Sequence, residues 1–246
     1  MMITNACQLY KDDCFNVFKN IENKSIDLIL TDPPYNLAKY STGNMKFQWR
    51  KTINNNIAKW DEEEFNPFET TDDFVRIIRD TGNIFIFTSY NLIGKWHGCL
   101  DHIFDTFQFM VWHKTNPIPN IRKSSFLNSC ELICCAWNKG HTWNFKSQRE
   151  MHNFYESPIC MGNERLKDPK HPTQKPVKLL EHIIEISTNE GDVVFDPFMG
   201  VGSTGVAAIN KNRKFIGVEI DDNYFSAANM RIQKAIKENY KEIVVG

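Results

Sequence analysis

Val193-Val194-Phe195-Asp196-Pro197-Phe198-Met199-Gly200-Val201-Gly202-Ser203-Thr204-Gly205 is the stretch whose reading decides the fold. Three apolar residues stop at an aspartate and a proline, glycines follow at the spacing Gly-x-Gly-x-x-Gly, and small residues continue with helical character to Asn210. The stretch therefore reads as a strand, a tight turn and a helix. Such a turn lets a ligand approach the backbone without meeting a Cβ, and the helix N-terminus behind it favours a negative group such as a carboxylate. About twenty residues on, Glu219 closes the next apolar run, where a carboxylate would meet a ribose hydroxyl pair. An adenosine-bearing ligand follows, with NAD and S-adenosylmethionine equally compatible at this point. The candidate contacts are Asp196, Phe198, Gly200, Gly202, Ser203, Thr204 and Glu219.

Outward from this unit the chain alternates strands and helices. Ser25 to Leu30, Asn83 to Phe87, Phe107 to His113, Glu131 to Trp137, Asp192 to Phe195 and Lys214 to Val218 read as buried strands, with Ile3 to Leu9 as a weaker seventh. Helical character covers Asp73 to Asp80, Ser203 to Asn210 and the stretch after Pro176, where Val177, Leu179, Leu180, Ile183, Ile184 and Ile186 recur at helical period. The pattern predicts an α/β fold with an open, mostly parallel seven-stranded sheet and helices on both faces. Residues 36–66 and 138–172 break the alternation and read as long loops, which in compact domains tend to carry function.

At 246 residues, with 41% hydrophobic and 24% charged side chains, the chain suits one principal globular domain. The N-terminus lacks a secretory pattern and no apolar run is long enough to span a membrane, so a cytoplasmic protein is expected. Seven cysteines, without paired Cys-x-x-Cys spacing, read as reduced and mostly buried thiols, and no metal site is expected. The net charge of −1 conceals an asymmetry: Val111 to Lys178 holds 11 Lys and Arg against 5 Asp and Glu, leaving 18 against 25 elsewhere. A basic middle of this kind fits a surface that grips phosphates, and fits a solvated basic face equally well.

A second motif, Thr31-Asp32-Pro33-Pro34-Tyr35-Asn36-Leu37, ends the strand at 25–30. An amine on a heteroaromatic ring is a poor nucleophile because its lone pair is delocalised, so alkylating it requires stabilising a pyramidal nitrogen. The Asp32 carboxylate and the Pro33 carbonyl can accept the two amino hydrogens, Pro34 stiffens the turn, and Tyr35 offers a stacking face. The bland alternative is a proline-rich turn with a capping aspartate. Pro158-Ile159-Cys160 interrupts any Pro-Cys pair, so a covalent thiol route to a carbon atom has no candidate.

Together the two motifs resemble those of the DNA amino-methyltransferases, whose Asp-Pro-Pro-Tyr catalytic and Phe-x-Gly-x-Gly cofactor motifs appear here as Asp32 to Tyr35 and Phe198 to Gly202. The catalytic motif comes first, as in the permuted β group found in restriction-modification systems. The resemblance covers nearly the whole chain. It implies a Rossmann-like methyltransferase fold in a single permuted domain, with a catalytic half at 1–137, a small inserted target-recognition region at about 138–170 and a cofactor half at 171–246. It also resolves the ligand as S-adenosylmethionine, with S-adenosylhomocysteine as product. His171-Pro172-Thr173-Gln174-Lys175-Pro176 is similar to the family segment beside the methionine part, implying His171, Thr173 and Lys175 as contacts. Asp13, with Cys14, takes the position that meets the adenine, and Asp32 counts as a cofactor neighbour as well as a catalytic group.

The expected activity is site-specific transfer to the N6 amine of adenine in DNA, since Asp at the first motif position usually marks adenine and Ser cytosine in that family. N4-cytosine methylation is the nearest alternative, and a non-catalytic DNA-binding subunit a more distant one. DNA contacts are expected from Lys114 and Asn116 near the target base, from Arg122 and Lys123, and from the 138–170 region through Arg149, Arg165 and Lys167 with Trp137 and Trp143. Lys39, Tyr40 and Arg50, with Lys46, Trp49 and Lys51, are candidates on a 36–60 loop that could close over DNA. The resemblance leaves a cognate restriction endonuclease and a homodimer open, and no membrane association is expected.

Overall fold

The computed structural model describes residues 2–3, 6–35, 45–47, 50–53, 65–121, 123 and 125–245, those at 2–3, 45–47, 50–53 and 240–245 by backbone alone. Its strands are β1 (Met2–Ile3), β2 (Cys7–Lys11), β3 (Ile26–Thr31), β4 (Met45–Phe47), β5 (Arg50–Ile53), β6 (Ile78–Thr88), β7 (Thr106–Lys114), β8 (Cys130–Trp137), β9 (Phe154–Ser157), β10 (Val193–Asp196) and β11 (Lys214–Glu219). Nine of them form one sheet in the order β1-β2-β11-β10-β3-β6-β8-β7-β9, while β4 and β5 pair separately and antiparallel. The run β2-β11-β10-β3-β6 is parallel throughout. Beyond it β8 lies antiparallel between β6 and β7, and β9 adds to β7 in parallel.

Six of the seven expected strands are present as β3, β6, β7, β8, β10 and β11, whereas the expected strand Ile3 to Leu9 divides into β1 and β2, which pair antiparallel; β9 is a further short edge. Strand β9 falls in the stretch read as a loop. Four residues carry too little periodicity to announce a strand, and β9 is defined by its register on β7, Val111 opposite Phe154 through Lys114 opposite Ser157. The 36–66 stretch likewise contains the antiparallel pair β4 and β5.

Among the described residues six helices, α1 (Cys14–Phe18), α2 (Pro67–Ile77), α3 (Ile93–Leu100), α4 (Val177–Ser187), α5 (Ser203–Asn210) and α6 (Asp222–Val245), cover the sheet. Helix α2 starts earlier than the 73–80 expectation and stops before Ile78. Asn66 caps its first turn by accepting from Phe68 N–H, and Pro67 suits a first-turn position where no N–H is needed. Ile78 is instead paired with Ile26 in the sheet, so tertiary pairing overrides helical periodicity there.

Strand residues alternate between two cores, as a sheet covered on both faces requires. Phe85 and Phe87 pack with Leu28, Leu30, Ile133 and Val194 under α4, α5 and α6. Ile84 and Ile86 pack with Ile29, Cys134 and Phe195 under α1, α2 and α3. Among the described residues no helix is long and apolar enough to cross a membrane.

The topology also locates a crevice. From β3 the chain passes through α2 to β6 on one side, and from β10 through α5 to β11 on the other, so the winding reverses between the neighbours β3 and β10. Ligands of open α/β sheets bind outside the carboxyl ends of the strands at such a reversal. The two sequence motifs occupy those two strand ends.

Candidate active site

The ends of β3 and β10 are joined by a buried hydrogen bond, Thr31 Oγ1 donating to Asp196 Oδ1 at 2.8 Å. Phe198 N–H donates to the same oxygen at 3.1 Å, which starts the glycine turn. Burial pushes the Asp196 carboxyl up to about 6 against the opposing bonds from Thr204 and Thr31. Gly200 and Gly202 adopt φ of +51° and +77°. A Cβ at 202 would lie 2.9 Å from Ala228 Cβ, and one at 200 would lie 3.0 Å from His171 Nε2. Both positions thus need glycine for conformation and for space. Gly200 N–H donates to Glu219 Oε2 at 2.9 Å and Asp221 N–H to Glu219 Oε1 at 2.8 Å, so the carboxylate ending β11 is clamped to the turn. Burial pushes Glu219 up to about 7. Arg231 of α6 supports the turn from behind, donating to Val201 O at 2.5 Å and Ser203 Oγ at 3.3 Å.

Asp32 sits one residue beyond Thr31 and accepts from Tyr35 Oη on Oδ1 and from Lys175 Nζ on Oδ2. Tyr35 is fixed in turn: Asn91 Nδ2 donates to its carbonyl at 2.8 Å and Ser89 Oγ at 3.4 Å, both from the segment following β6. Behind Lys175 the ion pairs continue. Its ammonium lies 3.3 Å from Glu131 Oε2, and Lys114 Nζ lies 2.7 Å from Glu131 Oε1. Burial pushes the Asp32 carboxyl up, with the Lys175 ammonium opposing and Glu131 adding to the rise. The cations beside Glu131 outweigh its own burial and hold it low, and the two carboxylates likewise raise Lys175.

The remaining expected cofactor positions surround this core. Asp13 caps α1 by accepting from Phe15 N–H at 2.9 Å. It follows β2, whose Lys11 is in register with Glu219, so it lies on the same sheet edge as the glycine turn. Cys14 is buried and its thiol is pushed up to about 12 by burial. His171 packs edge-on against Tyr224 with ring centroids 4.8 Å apart, and burial lowers it to about 4, leaving a neutral ring. Thr173 is exposed, and Phe198 packs its ring against Phe65 at 5.5 Å. Lys175 is in the vicinity expected of it, but its ammonium is engaged by Asp32 and Glu131. Burial also pushes the Cys160 thiol up to about 12, far from a nucleophilic thiolate.

The expected DNA contacts divide. Lys114, expected near the target base, is only 9% exposed, and its ammonium is paired with Glu131. Asn116 Oδ1 accepts from Ile159 N–H at 2.8 Å, tying the segment after β9 to the end of β7. Trp137 pairs with Asn83, midway along β6 and away from the sheet end that holds Asp32. There it packs on His141 and Trp143 with ring centroids 5.0 and 5.2 Å away. Lys123, Arg149 and Lys167 are exposed and Arg165 half-buried. Lys39, Tyr40 and Arg122, with Trp49, lie outside the described residues, and the side chains of Lys46, Arg50 and Lys51 are not described either.

Sequence reasoning missed Ser89, Asn91, Glu131 and Arg231. Glu131 offered a signal, being an acidic residue at the mouth of the otherwise apolar run Leu132 to Trp137. The other three are ordinary surface-type residues whose roles exist only through the fold.

The DNA methylase family model matches residues 26–230. The Type II methyltransferase M.HinfI of Haemophilus influenzae is 33% identical over 262 aligned positions, covering 96% of this chain and 70% of that protein. The Type II methyltransferase M2.LlaDCHI of Lactococcus lactis subsp. cremoris is 32% identical over 241, covering 90% and 87%. Among solved structures, the M1.HpyAVI–SAM complex superposes with a TM-score of 0.67 at 30% identity, covering 92% of this chain and 99% of that one. The cytosine-N4-specific PvuII DNA methyltransferase gives 0.67 at 19% identity over 99% and 94%, a likeness of fold alone.

Proposed function

The chain belongs to the DNA methylase family, and on that premise we propose that it methylates the N6 amine of adenine in DNA as a permuted, β-group enzyme. S-adenosylmethionine is the cofactor. The observation that carries the reading is the Thr31–Asp196 bond, which holds Asp32 against the strand whose glycine turn would receive that cofactor.

The residues fit the donor. The turn at Gly200 and Gly202 has no room for side chains and leads into the α5 N-terminus, which suits the cofactor carboxylate. Glu219, clamped by two backbone N–H groups, presents its carboxylate where ribose hydroxyls would bind. Asp13, following β2, and His171, beside Gly200, would meet the adenine and the methionine part of the donor. When bound, S-adenosylmethionine supplies an electrophilic methyl group on a sulfonium.

The rest is done by the chain. A base must leave the duplex stack for its amine to reach a strand-end carboxylate, and Tyr35 offers its ring to the extruded base. Asp32 and the Pro33 carbonyl accept the two amino hydrogens, drawing the nitrogen lone pair out of conjugation and toward the methyl group. The aspartate at position 32 favours adenine. The catalytic half at 1–137 and the cofactor half at 171–246 form one permuted unit that meets at β3 and β10. Of the 138–170 region, the part after β9, with Arg165 and Lys167, is the better candidate for target recognition, since Ser157 ends β9 at the same sheet edge as Lys114. The names of the relatives support a place as the modification member of a restriction-modification pair.

The test is transfer of labelled methyl groups from S-adenosylmethionine to mixed-sequence DNA, followed by digestion to nucleosides and mass spectrometry. Labelled N6-methyl-2′-deoxyadenosine is the expected product. N4-methylcytosine would overturn the adenine reading, and an unlabelled DNA fraction would overturn the activity.

A further inference from the structure

Lys175 presents a problem that cofactor binding does not solve. Lysine is almost never fully buried unless paired, yet its side chain is 6% exposed. The backbone explains how it gets there. It precedes Pro176, which disfavours the helical region at 175, and Pro176 itself is extended at ψ 131° before α4 begins. The side chain then runs inward with its ammonium 4.9 Å from the Phe87 ring centroid and 5.5 Å from that of Tyr35. It ends between two carboxylates, Asp32 and Glu131, and Glu131 is held from its other side by Lys114. With all four groups ionised the chain Lys114–Glu131–Lys175–Asp32 is neutral.

A buried ion chain is a poor stabilising device, because desolvation offsets most of the attraction. Its geometry serves Asp32 better. One carboxylate oxygen is engaged by Lys175 and the other by the Tyr35 hydroxyl, so rotation of the acceptor that faces the base is restrained from both sides. We propose that Lys175, itself set in place by Glu131 and Lys114, is a positioning residue that holds the Asp32 carboxylate in its acceptor orientation and charge state for methyl transfer. This rests on the assignment of Asp32 as the amine acceptor, but on neither base identity nor the recognition site.

The titratable groups facing Asp32 are Tyr35 from its own turn, Lys175 from the segment before α4, Glu131 from β8 and Asp196 from β10. Those facing Lys175 besides the two carboxylates are Tyr35, His171 and Cys160. Lys175 opposes the upward push of burial on Asp32, and Glu131 reinforces it. The two neighbours therefore act on Asp32 in opposite directions. Activity needs the carboxylate, so it rises with pH through the Asp32 titration. Removing Lys175 should move that acid limb to higher pH, and removing the Glu131 charge should move it lower.

The experiment is single-turnover methyl transfer from pH 5 to 9.5, scored on whichever amine the wild-type protein methylates, with S-adenosylmethionine affinity measured alongside. For Lys175→Met we expect a rate lower by ~100-fold at pH 7 and an acid limb displaced upward by about one unit or more, with partial recovery at pH 9. For Glu131→Gln we expect a smaller loss and a limb displaced downward. Lys175→Arg should bring the limb back toward its original position, and cofactor affinity should stay within about threefold in all three. Limbs that move together or not at all overturn the proposal. So does loss of cofactor affinity in proportion to rate in Lys175→Met, which would return Lys175 to the cofactor site. If Lys175→Met does not fold, the direction of the Glu131→Gln shift decides alone. Base identity fails separately, through the wild-type product.

Discussion

The two ends of the sheet bury polar groups in opposite ways. At the end holding Asp32, charged side chains are engaged with one another, Lys114 with Glu131 and Lys175 with both carboxylates. At the other end, side chains are engaged with backbone. Asn83 Nδ2 donates to Thr142 O and Ser187 O, both at 2.9 Å, and Asn144 Nδ2 to Glu185 O and Thr188 O at 2.9 and 2.7 Å. Arg213 Nη2 adds a bond to Thr188 O at 2.6 Å. Glu185, Ser187 and Thr188 offer the carbonyls that the end of α4 leaves without helical partners, so Asn144 in the segment after β8, with Asn83 and Arg213, closes that helix. Saturated backbone bonds make the far end a fixed scaffold. The near end keeps carboxylate lone pairs and ionic contacts that can respond to an arriving ligand.

Three substitutions can break or sharpen that contrast. The largest effect is expected at the near end, where Asp32→Ala should lower methyl transfer by ~10³-fold or more while leaving S-adenosylmethionine affinity, measured by calorimetry, within a few-fold. Transfer at the original rate would remove the near end from the chemistry. At the far end, Asn83→Leu should lower unfolding free energy by about 1–3 kcal/mol in urea titrations, because it leaves two buried carbonyls without donors. Its turnover per folded molecule should be unchanged, and a selective loss of turnover would show the two ends to be coupled. The smallest effect on function is expected from Trp143→Ala, which should reduce stability through lost packing on Trp137 and leave DNA affinity as it was. Weaker DNA binding at unchanged stability would restore Trp143 as a contact.

Both motifs were legible because each is a local statement. The φ demands of Gly200 and Gly202, the rigidity of Pro33 and Pro34, and apolar runs that stop at Asp32 and Asp196 are readable within a dozen residues of chain. Periodicity also located six strands of the main sheet, β3, β6, β7, β8, β10 and β11, since a strand buried on both faces must be apolar almost throughout. It failed where the partner decides the structure. Ile78 to Asp80 has helical composition and becomes strand through pairing beside β3, and Phe154 to Ser157 becomes strand only as an addition to β7. Trp137, read as a candidate DNA contact from type and neighbourhood, is instead buried by its pairing in the sheet, and Trp143 packs against it.

Lys175 marks the boundary between the two kinds of information. The sequence by itself determined that a buried strand ends in an amine-accepting motif and that another ends in a nucleotide-type turn, because bond geometry and side-chain chemistry act over neighbouring residues. Only the tertiary structure decided that Lys175 meets Asp32, 143 positions away, and that Glu131 stands behind it. Ion pairing depends on distance in space and on the loss of water around both charges, and a linear sequence specifies neither until the sheet order has brought β3, β8 and the segment before α4 to one edge.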